Sequence, residues 1–327
     1  LQVRPPIRAG HSIAVNGARA LSNPPETARW PSRGPNAASR YRLGLYAMLA
    51  PYLTGTVVLV AIPIALSAIL AFTAYDGLSR PEWRGVQNFR EMLGDPRFAI
   101  AVRNSLVFVA LSIPLRLVIT LTLALLLCRP RPGVGLYRVA VYLPTVVPGP
   151  AYALVWLWIL NPLYGPLNLL LAALGLPAPA WLADSSTALP AIALTTLFQI
   201  GEAFVILLAG LQEIPDDYYH AAAIDGAGLF QQLRHLTLPL LTPWLLLVTL
   251  RDIIASAQNT FTPALLMTGG GPYYATLVLP LLIYETAFDR FRFGEGAAMT
   301  LVLCLGVGAI ILLIYRAFGG WGYEDEA

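Results

Sequence analysis

Residues 211–243 read LQEIPDDYYHAAAIDGAGLFQQLRHLTLPLLTP, a polar interruption between two long apolar runs. Pro215 suits the first turn of a helix, where its missing N–H is no loss. Asp216 and Asp217 follow in that turn, where carboxylates complement the helix dipole. Tyr218 to Ile224 continues the helix, and Ala221, Ala222 and Ala223 combine high propensity with little bulk. Gly226 and Gly228 fit a C-terminal stop. A second short amphipathic segment, Leu229 to Leu236, is expected to lead into Leu238-Pro239 and the next apolar run. The reading is a small-residue helix lying across one face of a bundle and tied down at both ends. Its alanines and glycine let a partner groove approach closely; the same residues also suit a loop that simply caps the bundle.

Outward from this loop the chain is apolar. Six stretches, at about 45–73, 104–128, 136–160, 187–211, 237–261 and 296–317, each come near the ~20 residues that cross a bilayer core. The 327 residues are 57% hydrophobic and 12% charged, with mean hydropathy +0.65. Soluble domains hold roughly 45–50% apolar and about 25% charged residues, so an ordinary soluble enzyme and a disordered chain are both excluded. The expected fold is an all-α membrane protein of six transmembrane helices. The runs are continuous rather than alternating ten-residue segments, which disfavours a β-barrel. Pro51, Pro63, Pro114, Pro148 and Pro243 fall inside the runs and are expected to kink them, since neighbouring helices re-satisfy the freed carbonyls.

Arginine placement sets the expected orientation. Residues 1–44 carry seven arginines and one acid, Glu26, with abundant Pro, Gly and Ser. They contain no apolar run of signal-peptide length and read as a disordered cytoplasmic tail. The loop after the second span holds Arg129, Arg131 and Arg138 without an acid, whereas 161–186 has no basic residue and one acid, Asp184. The first loop, 74–103, pulls the other way with five arginines, accompanied by four acids. The balance puts both termini and the 212–236 loop in the cytoplasm, with a six-span domain at 45–317 and a short tail at 318–327.

All 21 basic residues are arginine. A phosphate-binding loop needs a lysine, as does Schiff-base chemistry, so any ATP used here is expected to be bound by another chain. Net charge is +3, which does not argue for nucleic acid. Cys128 and Cys304 read as small buried hydrophobes, and His11, His220 and His235 are too scattered for a metal site. No span holds a histidine or a paired nucleophile and base, so an intramembrane enzyme is disfavoured and no catalytic residue is expected. Within the spans, Arg116, Glu202, Arg251 and Asp252 stand out, because ionisable groups at membrane depth face a bundle interior or a wet cavity. Adjacent helical residues point about 100° apart, so Arg251 and Asp252 need not satisfy one another, and Arg251 or Arg116 is expected to reach Glu202 across helices. The four suit either a clamp between helices or a lining for a hydroxylated ligand. Gln258, Asn259 and Thr260 suit a neutral ligand dense in hydroxyls better, since amides both donate and accept, with Phe261 or Tyr284 as rings for any apolar face it has; an interhelix hydrogen-bond cluster is the other reading.

The run His220-Ala221-Ala222, Asp225-Gly226 and Leu238-Pro239 resembles the EAA loop of ABC-importer permeases, with His220 where that family usually has Glu. Asn88-Phe89, Asp95-Pro96, Trp181-Leu182-Ala183-Asp184, Ala209-Gly210-Leu211, Thr268-Gly269-Gly270-Gly271-Pro272, Ala287-Phe288 and Phe293-Gly294 look similar to carbohydrate permeases of the maltose type, and the likeness covers about 45–316. The glycine run lacks the Lys-Ser/Thr of a phosphate loop. The resemblance implies a type I ABC-importer permease that docks its ATPase through a coupling helix bearing Tyr219, His220, Ala221, Ala222, Asp225 and Gly226. It implies a second permease (or a homodimer), two ATPase subunits that bind ATP and Mg, an extracytoplasmic solute-binding protein, and no cofactor in this chain. It also implies that the segment before the glycine run and Glu202 line the sugar path. An ion-coupled secondary transporter is the alternative; such proteins often show internal repeats, and none is seen.

Overall fold

The computed structural model describes residues 35–318, and side chains from 41 to 317. The proposed tail lies outside the described residues up to residue 34, as does 319–327. The described chain is helical from Pro35, inside the stretch read as the tail. The chain divides into two units, residues 1–63 and 64–327. In the first, helix α1 (Pro35–Thr56) runs into a π turn, Val57–Ala61. Tyr41–Leu70 is long and apolar enough to cross a membrane.

In the second unit the helix ends at Leu70 and a two-stranded antiparallel hairpin follows, β1 (Thr73–Ala74) against β2 (Glu82–Trp83). Helix α2 (Gln87–Gly94) follows, and buried Asn88 ties it to the hairpin by donating to Ala71 O at 2.9 Å and Thr73 O at 2.8 Å. Helix α3 (Pro96–Leu127) is the second span. Asp95 caps it by accepting from Arg97 N at 2.9 Å, with Pro96 in the first turn. The Arg97 side-chain bond, working with that backbone bond, holds the Asp95 carboxyl below the usual range. A depressed carboxylate contributes stability that is present above its unfolded pKa and is lost as pH falls through the folded one. Asp95→Ala should cost about 1 kcal/mol, read as a lower melting temperature at neutral pH, with the difference from wild type closing in acid.

Two expected spans are bent. The third is α4 (Val134–Val146) and α5 (Gly149–Ile159), turned by 101°. Pro148 lacks a donor and Pro150 follows two residues later, so the ladder cannot pass the junction. The fourth is α7 (Ala188–Thr196) and α8 (Gly201–Glu213), turned by 48°. Between them, the expected loop 161–186 contains a further helix, α6 (Pro166–Ala173). Four helices are long and apolar enough to cross a membrane, and six spans result if each bent pair is one.

Helix α9 (Asp216–Ile224) follows Pro215. The short segment expected at 229–236 leads into the fifth span without a break, as the start of one long helix, α10 (Leu229–Thr268). A π turn at Leu233–Thr237 sits just ahead of Pro239 and lets the helix continue past a residue that cannot donate. A glycine run closes α10: Gly269 and Gly270 take positive φ, of 57° and 79°, which glycine adopts without steric cost. Short α11 (Leu279–Tyr284) and the last span, α12 (Phe293–Phe318), complete the described chain.

Two apolar cores form. One joins Met92, Phe98, Phe108, Ile192, Leu277, Leu281 and Met299; the other joins Phe204, Leu207, Leu211, Leu241 and Val248. Small residues let helices close up, as expected where lipid supplies no hydrophobic contrast. A Cβ on Gly210 would fall 2.5 Å from Trp244 Cγ, and one on Gly294 would collide with Thr73 O.

Candidate functional site

The two breaks in spans three and four lie side by side, and side chains from other spans satisfy the backbone they expose. Tyr152 Oη donates to Thr195 O at 2.6 Å, Gly201 N donates to Thr145 Oγ1 at 2.9 Å, and Arg116 Nη2 donates to Gln199 O at 3.1 Å. Irregular backbone at membrane depth is tolerated where it is buried in protein or lines a cavity, and here it does line one. A cavity of about 240 Å³ is walled by Arg116, Thr145, Tyr152, Gln199, Glu202, Arg251, Ser256, Asn259 and Thr260, among others.

Its charges form a chain across three spans. Glu202, in the first turn of α8, pairs with Arg251 of α10. Arg251 Nη1 also donates to Asp252 Oδ1 at 3.0 Å, so these neighbours do satisfy one another despite their angular separation. A long guanidinium stem folds back far enough to cover that angle. Asp252, only 2% exposed, lies 3.6 Å from Arg116 of α3, whose side chain is itself 9% exposed. Two cations thus neutralise two carboxylates, with the more accessible pair at Glu202 and the buried pair at Asp252. Arg116 Nε and Ser256 Oγ remain without a hydrogen-bond partner.

Of the residues expected to line a substrate path, the structure brings Glu202, Asn259 and Thr260 to this cavity. Thr260 turns its hydroxyl back to Ser256 O, which reduces what it offers a ligand. Gln258 is exposed and is not among the lining residues. Phe261 and Tyr284 pack on one another with ring centres 5.1 Å apart, and Tyr284 packs on Phe288 at 5.4 Å, away from the cavity. About half a turn of helix separates a lining residue from one on the far face, and the run Gln258–Phe261 covers about a full turn, so it cannot all face one cavity. Sequence reasoning missed Thr145, Tyr152, Gln199 and Ser256. The signal available was two apolar segments interrupted by Gly or Pro, at Pro148-Gly149-Pro150 and Gly201, the pattern that marks discontinuous membrane helices around a binding site.

The other expected site is a surface. Helix α9 buries none of its residues. It ends as expected: Asp225 caps it, Gly226 takes φ +83°, Gly226 N donates to Ala223 O at 3.1 Å and Ala227 N to Ala222 O at 2.9 Å. That pair of bonds is the Schellman arrangement, and it favours glycine at this position. Tyr219 anchors the helix through its hydroxyl, 3.1 Å from Thr237 Oγ1. Tyr219 and His220 face a cleft of about 1210 Å³ shared with Arg129, Arg131 and Asp216. Ala222 is half-buried, while Ala221, Asp225 and Gly226 point outward with Asp217, Tyr218 and Ile224.

Comparison with known proteins follows the same lines. Residues 117–319 match the family model described as binding-protein-dependent transport system inner membrane component. A probable ABC transporter permease protein, YesP of Bacillus subtilis, is 34% identical over 86% of this chain and 92% of its own. The trehalose/maltose transport system permease protein MalF of Thermococcus litoralis is 32% identical, over 83% of this chain and 93% of its own. The diacetylchitobiose uptake system permease protein NgcF of Streptomyces coelicolor is 30% identical, over 83% and 81%. A chain of a bacterial alginate ABC transporter, crystallised with a periplasmic protein bound to alginate pentasaccharide, superposes with TM-score 0.74 at 21% identity, over 87% of this chain and 96% of that one.

Proposed function

Because the chain belongs to the binding-protein-dependent transport system inner membrane components, as a multi-pass permease of the sugar ABC-transporter family, we propose that its own residues link a saccharide cavity to a partner ATPase through one helical arm. The observation that carries this reading is continuity along the chain. Helix α8 begins with Glu202 in the cavity wall and runs 13 residues, about 20 Å, to Pro215 and the exposed helix α9.

In this reading α9 is the coupling helix, seated in an ATPase subunit on the cytoplasmic side, and both termini lie on that side. Tyr219, His220, Ala221, Ala222, Asp225 and Gly226 form or shape the docked surface. ATP and Mg are bound by the ATPase and this chain contributes no catalytic group or cofactor. A second permease completes the pathway, two ATPase subunits drive it, and a solute-binding protein delivers the cargo. Closure of the ATPases displaces α9, the arm turns at the break in span four, and the cavity alternates between the two faces of the membrane.

The lining suits a small saccharide, the class named for the relatives that take up trehalose/maltose and diacetylchitobiose. Arg116 Nε and Ser256 Oγ supply buried polar groups without a protein partner, and a hydroxyl-rich ligand satisfies such groups. Asn259 offers both a donor and an acceptor. Asn259→Ala should leave assembly with the ATPase intact and weaken uptake of the transported sugar in reconstituted vesicles. Unchanged uptake would remove Asn259 from the path.

A further inference from the structure

The segment joining spans three and four carries a single charged residue, Asp184 near its end; none occurs from 139 to 183. Helix α6 within it is pinned by one buried polar side chain. Asn168 Oδ1 accepts from Trp181 Nε1 at 2.7 Å, and its amide donates to Pro162 O at 3.1 Å and Pro179 O at 3.0 Å. Leu167, Trp181 and Leu182 pack on the first core. The pin fixes which face of α6 turns outward, and that face is apolar. Leu169 and Leu170 are each 58% exposed, and Leu163 and Leu174, at 83% and 65%, extend the surface on either side.

A contiguous apolar surface of this kind marks an interaction site. Three observations choose its occupant. The segment leaves one span and enters the next, so both its ends are at the bilayer. Trp158, Tyr164 and Trp181 flank it, and such amphipathic rings gather at the membrane–water boundary. The outward face offers a partner protein almost no hydrogen-bonding side chain beyond the Tyr164 hydroxyl, whereas protein interfaces carry about one hydrogen bond per 100–200 Å². A lipid surface needs none.

We infer that α6 lies in the bilayer interface on the side opposite α9, with Leu163, Leu169, Leu170 and Leu174 among the lipid chains. Its one polar side chain, Asn168, is turned to the protein rather than to water, a variant of the interfacial amphipathic helix. It thereby fastens the far end of bent span three to the membrane surface, one helix (α5) away from the break at Pro148.

The test is spin-label accessibility in the assembled transporter, reconstituted in lipid vesicles. Cys128→Ala and Cys304→Ala remove the native thiols. A nitroxide is placed through Leu170→Cys or, independently, Leu174→Cys, with Ser185→Cys as the exposed polar reference. At both leucine positions collisions with dissolved oxygen should exceed those with a water-soluble nickel chelate, and the order should reverse at Ser185. Preferential collision with the nickel chelate at the leucine positions would place α6 in water. Protection from both reagents would place it under another protein. Either result overturns the inference, and neither touches the transport reading, which Asn259→Ala tests by uptake.

Discussion

Ala221→Trp should abolish ATP-driven uptake while leaving the chain in the membrane. Ala221 lies on the outward face of α9, beside Asp217, Tyr218 and Ile224, on a helix with no buried residue. An indole there meets nothing within this chain's core, so folding and insertion should survive. A docked ATPase groove fitted to alanine would be overpacked, at a cost of about 1–3 kcal/mol, and every 1.4 kcal/mol or so is tenfold in association. The measurement is co-purification of the ATPase in mild detergent, alongside uptake in vesicles. Ala221→Ser should behave as wild type in both. Full ATPase recovery with the tryptophan variant would separate α9 from docking.

Asp252→Ala should be the most destabilising single change in the membrane core. Asp252 is 2% exposed, receives a hydrogen bond from Arg251 at 3.0 Å and lies 3.6 Å from Arg116. Removing it leaves the Arg116 guanidinium, 9% exposed, with only the Gln199 carbonyl as partner. Breaking a buried pair on one side costs about 3–5 kcal/mol, whereas replacing both members with apolar residues is often neutral. Asp252→Ala should therefore lower the thermal midpoint of the purified complex sharply. Arg116→Leu with Asp252→Leu should recover much of it, a non-additivity that a double-mutant cycle measures. Equal losses for the single and double variants would show that the pair is not the source of the cost. Glu202→Gln should be far milder, because Glu202 is half exposed.

The sequence makes the architecture legible where a physical rule acts locally. Twenty apolar residues in a row can lie in only one kind of solvent, so the six stretches could be placed from composition. The helix at Asp216–Ile224 and its glycine stop were readable because each rests on neighbours a few residues away: Pro215 and the two aspartates at the start, Gly226 at the end. The bends were not readable at the same level. Proline is tolerated in one membrane helix and breaks another, depending on whether neighbouring side chains re-satisfy the freed groups. Pro114 sits inside α3 without ending it, whereas the chain turns at Pro148. The cavity wall was half legible for the same reason. Glu202 and Asn259 are conspicuous as polar residues in apolar runs, but Thr145 and Tyr152 become lining residues only because span three breaks between them, and Gln199 only because span four breaks beside it. Arg251 with Asp252 shows the limit of angular reasoning, since backbone direction does not bound the reach of an arginine.

The close crossing of Gly210 and Trp244 has a mechanical consequence. An indole seated where a Cβ would otherwise stand leaves α8 no clearance to slip along α10. Displacement entering at Ile214 is then conveyed to both helices together, as torque on a crank rather than as play in a loose joint. On the transport reading proposed above, Glu202 and Arg251, one on each, would travel as a single jaw, so a stroke entering through α9 would reach the cavity wall through both helices at once.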